Sequence, residues 1–262
     1  MMKIKTLLLL ASICLIIRQY GVCQSDTPWN GHDCAVVLTY DDGLAGHLDY
    51  VIPLLDSIGL KATFYANCDA VAFQNRIPEW RAAAANGHEL GNHTLFHPCD
   101  ASKPSRNWVH PDKDLSKYSL TQILSEIRLA NSMLNAVDGK TRRTFAYTCG
   151  DYLVNGQDFS ELIRDDFVGA RGVQFSSGNK DDIDLMHIPA FYVTGHTGEA
   201  LIGLVEQARE HQLLIVFLFH GVGDDHSLNI AKAEHLKLIQ YLGEYQEYIW
   251  VAPMVDVAEF MK

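Results

Sequence analysis

Two short runs of polar residues carry the groups best suited to chemistry. Asp41 and Asp42 are adjacent carboxylates at the end of the apolar run 35–40, and His93 and His97 are imidazoles four residues apart. One carboxylate and two imidazoles form an open ligand set for a divalent metal, because a closed structural site would use a fourth protein ligand. The second carboxylate could then act as a base toward water. The spacing therefore predicts a catalytic metal site.

A third imidazole, His220, follows seven consecutive apolar residues and precedes a glycine. A histidine at this position does not fit an ordinary solvent-exposed surface residue, although a hydrogen-bonded core histidine is an alternative interpretation. Adjacent residues at a strand end point to opposite sides, so Asp41 and Asp42 should have different roles. His88 lies five residues before His93 and should point to the other face, so we interpret it as structural.

Strand and helix signals alternate along the chain. The apolar run 35–40 is typical of a strand buried on both faces. Further strands are predicted at 61–66, 88–92, 144–147, 167–172, 186–193, 213–220 and 248–252, and helices at 47–58, 78–86, 120–137, 158–165, 199–211, 230–245 and 255–261. Residues 98–117 show no periodicity and should form a long loop. Repeated βα units predict a parallel α/β barrel or open sheet, whose sites form at the carboxyl ends of strands.

The N-terminal residues 1–23 have the pattern of a secretory signal peptide. A short basic stretch precedes an apolar run at 6–17, which is too short to span a bilayer. We expect cleavage after Cys23, an exported protein, and a single domain over residues 24–262. Attachment of a lipid at Cys23 is a less favoured alternative, because residues 20–22 match a lipoprotein signal poorly.

The net charge and the cysteine content indicate which classes of partner are excluded and whether disulfides could form. The formal net charge of −11 argues against a nucleic-acid partner. Four cysteines lie beyond residue 23 without a C-x-x-C pair, which argues against a zinc ribbon. Cys99 and Cys149 both follow strand ends on the same side and could form a disulfide, which export permits. Alternatively, all four are free thiols packed as small apolar groups: Cys34, Cys68, Cys99 and Cys149.

These motifs together resemble those of the polysaccharide deacetylase family, carbohydrate esterase family 4. Residues 39–43, Thr-Tyr-Asp-Asp-Gly, match its first motif T-F-D-D-G with Tyr for Phe, and residues 93–97 match its second, H-S/T-x-x-H. Residues 218–220, Leu-Phe-His, fit its last motif. The resemblance covers about residues 30–260 and implies a distorted (β/α) barrel of about seven parallel strands in a single domain.

The resemblance also implies an activity and a set of roles. The enzyme would use a divalent metal to remove N- or O-linked acetyl groups from a carbohydrate. Asp41 would be the general base, His220 the general acid, and Leu218 part of a pocket for the acetyl methyl group. The metal would be held by the three remaining residues of these motifs: Asp42, His93 and His97. A mixed nitrogen and oxygen set suits Zn²⁺, with Co²⁺, Ni²⁺ or Mn²⁺ as alternatives.

Two family motifs are altered or missing. Ala146 stands where the third motif has the arginine that steadies the base. Arg143 is too early in its strand to replace it, whereas Arg171 ends the next strand on the correct side and should lie within about 3.5 Å of Asp41. The fourth motif, which orients the acid histidine, is not recognisable.

Substrate contacts are expected from two further places. The backbone near Tyr147 could donate to the acetyl oxygen, and Trp108 in the long loop could stack on a sugar ring. Which glycan is recognised stays open. Two other functions compete: hydrolysis of a cyclic imide or ureide by an allantoinase-like enzyme on the same scaffold, and glycan binding without catalysis.

Overall fold

The computed structural model describes residues 28–176 and 178–262. The predicted signal peptide and the alternative lipid attachment at Cys23 lie outside the described residues and stay predictions. Within the described part of the chain, no helix combines the length and apolar character needed to cross a membrane.

Strands and helices alternate as the sequence predicts. The strands are β1 (Cys34–Asp41), β2 (Thr63–Ala66), β3 (Glu89–Asn92), β4 (Phe145–Ala146), β5 (Leu153–Val154), β6 (Gln157–Asp158), β7 (Ala170–Arg171), β8 (Phe191–Tyr192), β9 (Leu214–Phe219), β10 (Gly221–Val222), β11 (Asn229–Ile230) and β12 (Ile249–Val251). The α-helices are α1 (Ile52–Ile58), α2 (Val71–Asn75), α3 (Ile77–Ala85), α4 (Leu120–Asp138), α5 (Gly198–His211), α6 (Lys232–Glu244) and α7 (Met254–Phe260). A π-helical turn, His47–Val51, leads into α1, and 3₁₀ turns lie at Pro111–Lys113, Leu115–Lys117, Thr148–Gly150, Glu161–Asp166 and Lys180–Asp182.

The main sheet is parallel and centred on β1. Seven strands follow the order β7-β4-β3-β2-β1-β9-β8, and β12 pairs with the first residues of β1. The segment leading into β8 also reaches the opposite edge, because Ile188 forms an isolated bridge with Arg171 of β7. The sheet therefore curves into a distorted barrel surrounded by helices, which confirms the predicted fold class.

Alternation along β1 explains why its run is continuously apolar. Val36 and Tyr40 pack in the large core formed with the surrounding helices, whereas Val37 packs in a second core with Val216 and Leu218 of β9. Both faces of β1 are thus buried. Because residues alternate across a strand, the second face continues to Asp41, so a polar side chain emerges where the apolar layer ends.

Several elements differ from the prediction in length or type. The helix expected at 158–165 is a 3₁₀ helix over Glu161–Asp166, preceded by the β5–β6 hairpin. The strands expected at 167–172 and 186–193 contain only two ladder residues each. The apolar composition of these segments correctly predicts that they are buried. It does not distinguish a buried strand from a buried loop, because both are apolar. The loop 98–117 carries two short 3₁₀ turns.

Candidate functional site

The predicted site residues converge on one cavity at the carboxyl ends of the strands. The cavity has a volume of about 1220 Å³. It is lined by all the residues proposed for metal binding, acid–base chemistry and substrate contact: Asp41, Asp42, His93, His97, Trp108, Tyr147, Leu218 and His220. Arg171 lies behind this wall and reaches the site through Asp41.

Three of these side chains present donor atoms to a common point. The Nε2 atoms of His97 and His93 lie 3.4 and 3.7 Å from Oδ1 of Asp42. The three donor atoms all lie within 4.8 Å of one another. Ligands held about 2.0–2.2 Å from a tetrahedral Zn²⁺ are separated by roughly 3.4 Å, so the set fits a single ion.

The histidine tautomers also suit metal binding. Nδ1 of His93 lies 2.8 Å from the carbonyl oxygen of Ala146. Since a carbonyl only accepts, Nδ1 carries the hydrogen and Nε2 keeps its lone pair, an arrangement typical of ligating histidines. Burial lowers the pKa of His93 to about 4, so its ring is neutral at pH 7. Nδ1 of His97 faces Sγ of Cys99 at 3.6 Å, which leaves its Nε2 toward Asp42.

Asp41 and Asp42 do not point to opposite sides, and the sequence expectation was wrong on this point. Both line the cavity, because the backbone of Asp42 adopts a positive φ of 76° where β1 ends. Burial favours a raised pKa for Asp42, but the imidazoles of His97, His93 and His220 hold its pKa below the ordinary value. The carboxylate is therefore ionised at neutral pH.

Asp41 is held by an arginine from a different strand. One Arg171 guanidinium nitrogen, Nη2, lies 2.6 Å from both Asp41 carboxylate oxygens, and both side chains are buried. The predicted contact is present. Arg143, by contrast, pairs with Asp138, donates to the carbonyl of Leu90, and does not line the cavity. His88 is structural as expected, since it bonds to Ala62 and Asp56.

His220 directly follows β9, the strand next to β1, so it lies beside Asp41 just past the register pair Tyr40 and Phe219. Its Nε2 is 3.9 Å from Oδ2 of Asp42. Its carbonyl oxygen accepts a hydrogen bond of 2.9 Å from Nε2 of the buried His47. Burial lowers the pKa of His220 below its ordinary value.

Two residues beside His220 were missed in the sequence. The ring of His226 stacks on His220 with a centroid distance of 5.3 Å, and the ring of Tyr192 meets it edge-on at 5.7 Å. His226 lies six residues after His220, and this short separation is the sequence feature that could have indicated a contact between them. Tyr192 belongs to a predicted strand and resembled any core aromatic.

The residues predicted to contact substrate differ in their exposure to solvent. Both Trp108 and Leu218 line the cavity, but Trp108 is 64% exposed whereas Leu218 is buried. The Tyr147 side chain is buried and its hydroxyl donates to the carbonyl of Met186, so that hydroxyl already has a partner. The amide of Tyr147 donates to Arg171, which leaves the next two amides, those of Thr148 and Cys149, as candidates for contact with substrate.

A disulfide joins Cys99 to Cys149, and Cys34 and Cys68 are buried free thiols. The bond links the loop after His97 to the 3₁₀ turn after β4. Asp100 reinforces this link, because its amide donates to Asp151 at 2.8 Å. One metal-ligand candidate and one cavity wall are therefore tied together.

Comparison with known proteins gives consistent results. The family model described as "Polysaccharide deacetylase" matches residues 30–160. A gellan lyase from Bacillus sp. is 24% identical over 253 aligned residues, which cover 86% of this chain but only 9% of that protein.

Solved structures share the fold at low sequence identity. The structure of Puue allantoinase aligns with 95% of this chain and 97% of its own, with a TM-score of 0.63 at 13% identity. A probable polysaccharide deacetylase from Pseudomonas aeruginosa PAO1 aligns with 89% of this chain and 93% of its own, with a TM-score of 0.61 at 14% identity.

Proposed function

We propose that this chain, which belongs to the polysaccharide deacetylase family, is an exported, metal-dependent hydrolase that removes acetyl groups from a carbohydrate. One observation carries the proposal. The Asp42, His93 and His97 donors lie within reach of a single ion, beside both a carboxylate held by arginine and the imidazole of His220. A pure binding protein has no need for this combination of a ligand set, a base and an acid.

The base is Asp41. A divalent ion bound by Asp42, His93 and His97 would supply Lewis acidity to the acetyl carbonyl and to water. Asp41 accepts the proton of the attacking water. Arg171 fixes the orientation of Asp41 and prevents its carboxylate from rotating toward the ligand set, whose His93 Nε2 is 3.9 Å away.

The acid and the remaining contacts lie around the same point. His220 donates a proton to the departing sugar nitrogen or oxygen, so that the products are acetate and a deacetylated sugar. The backbone amides of Thr148 and Cys149 follow Tyr147 at the cavity and would donate to the acetyl carbonyl oxygen. Leu218 supplies an apolar surface for the acetyl methyl group.

Two features support export. The disulfide between Cys99 and Cys149 belongs to an oxidising compartment. The sequence pattern of residues 1–23 is that of a secretory signal peptide. Neither feature bears on which glycan is the substrate.

The test is acetate release from a panel of substrates by the metal-reconstituted protein. The panel holds N-acetylated glucosamine oligomers, peptidoglycan fragments, O-acetylated xylan and allantoin, each with the protein stripped by chelator and reloaded with Zn²⁺, Co²⁺, Ni²⁺ or Mn²⁺. We expect acetate from at least one glycan, only with metal, and release that is slower by about 10²-fold or more in an Asp41→Asn variant. Allantoin hydrolysis without acetate release would favour the ureide alternative. Glycan binding without any turnover would favour the binding protein.

A further inference from the structure

We propose that His226 is a positioning residue that holds the ring of His220 in its working orientation by stacking on it; this inference rests on the proposed function. The two rings are nearly parallel, with an interplanar angle of 13° and a centroid distance of 5.3 Å. Stacked or offset aromatic pairs at this distance are attractive. No role for His226 follows from the motifs of the sequence.

His220 needs such support because its second ring nitrogen has none. Among the described residues, Nδ1 of His220 is buried and without a hydrogen-bond partner. Catalytic histidines are commonly oriented by a carboxylate or carbonyl at that atom. Here the ring instead stacks on His226 and forms an edge-to-face contact with Tyr192. Packing therefore replaces a hydrogen bond as the restraint on ring rotation.

His226 is itself held in place. Its Nδ1 accepts from the amide of Leu228 at 3.0 Å, and its carbonyl accepts from the side chain of Asn229 at 2.7 Å. The neighbouring Asp225 accepts from the amide of Gly46 at 3.1 Å, which anchors the loop to the end of β1. Because these hydrogen bonds hold His226 in place, its ring can in turn restrain the His220 ring on which it stacks.

Gly221 is the feature that allows this approach. A Cβ atom at position 221 would lie 2.8 Å from Cβ of His226 and 2.7 Å from Oδ1 of Asp225. Real Cβ atoms do not approach so closely, so any larger residue would push the loop away from His220. Gly221→Ala is thus a second route to separating the two rings without touching either of them.

The experiment compares steady-state kinetics of His226→Ala, His226→Phe and Gly221→Ala. We expect His226→Ala and Gly221→Ala to lower kcat by about tenfold, with KM within about twofold of wild type and unchanged metal content. His226→Phe keeps the stacking face and should retain kcat within about threefold. His211→Ala, at the exposed end of α5, is the matched control and should match wild type.

Crystal structures of the variants give a readout that does not depend on turnover. We expect one orientation of the His220 ring in wild type and His226→Phe, and more than one in His226→Ala. Wild-type kcat in His226→Ala, an equal loss in His226→Phe, or an unchanged His220 ring would overturn the proposal. Failure of wild type to release acetate contradicts the proposed function instead, so the two failures are distinguishable.

Discussion

Arg171 and Ala146 are register partners on adjacent parallel strands, β7 and β4, and this pairing explains how Asp41 is held. By resemblance, the position of Ala146 should carry the arginine that steadies the base. An arginine one strand further at the same level can reach the same point with its long side chain. It lies 130 residues from Asp41 in sequence and contacts both carboxylate oxygens at 2.6 Å.

The first prediction concerns this pair. Arg171→Lys should lower kcat/KM by about tenfold or more, because an ammonium has no second nitrogen to keep the bond that Arg171 Nη1 donates to the carbonyl of Gly172, which fixes the guanidinium beside Asp41. Arg171→Met should also reduce stability, by roughly 3–5 kcal/mol, because it leaves the buried Asp41 charge unpaired. Kinetics and urea denaturation of both variants check this.

Arg143→Lys is the matched control for these variants. Arg143 is also buried and ion-paired, but its partner is Asp138 and it lies away from the cavity. The control should lose stability while its folded fraction keeps normal kcat. Equal kcat losses in the Arg143 and Arg171 variants would show that general destabilisation, not positioning of Asp41, explains the effect.

The second prediction concerns the metal. Wild type should bind about one divalent ion per chain, and His93→Ala or His97→Ala should lose most of it, because each removes one of three donors. Elemental analysis after dialysis measures this directly. His88→Ala is the control, since it alters a buried histidine that bonds to Asp56 on the other face. Full occupancy in the double His93→Ala/His97→Ala variant would reject the site.

The third prediction separates acid–base roles from metal binding. Asp41→Asn and His220→Ala should each lower kcat by about 10²-fold or more, the usual scale for general acid–base catalysis. Metal content should stay near that of wild type, since neither residue is a proposed ligand. Parallel turnover and metal measurements on the same preparations provide the check. Wild-type turnover in either variant would remove that residue from the mechanism.

The sequence predicts the order of elements well because hydrophobic periodicity is local. The long buried strands β1 and β9 and the amphipathic helix α4 have strong signals, and each was found close to its position. The strands predicted at 167–172 and 186–193 are longer than the two-residue strands β7 and β8 that the structure contains. Their flanks are buried without ladder pairing, and composition alone does not distinguish these states.

The candidate site residues that belong to sequence motifs could be predicted, whereas contacts that depend on loop packing could not. The five motif residues converge as expected, and Arg171 was placed by its strand end. The stacking of His226 on His220 was not foreseen, because it depends on how the loop after β9 folds back past Gly221. The convergence of Asp41 and Asp42 was missed for a similar reason, since one positive φ redirects the second carboxylate.

The fourth prediction concerns the disulfide. Replacing both Cys99 and Cys149 by Ser should lower the free energy of unfolding by about 2–4 kcal/mol, because the bond closes a loop spanning 50 residues of sequence. Urea denaturation with and without a thiol reductant measures the change. The reductant should destabilise wild type and leave the double Ser variant unaffected. A wild-type midpoint unchanged by the reductant would contradict a structural contribution from the bond.

The last prediction concerns Trp108 as a sugar-stacking residue. Trp108 is 64% exposed and lines the cavity, so it has apolar area to offer a pyranose face. Trp108→Ala should raise KM for an acetylated oligosaccharide by roughly 2- to 10-fold, the scale of one aromatic contact, with kcat nearly unchanged. Acetate-release kinetics on the oligosaccharide and on a small aryl acetate ester measure this, and the ester should respond little. Leu129→Ala, an exposed apolar residue on α4, serves as the control. An unchanged KM for every glycan hydrolysed would assign Trp108 to loop packing.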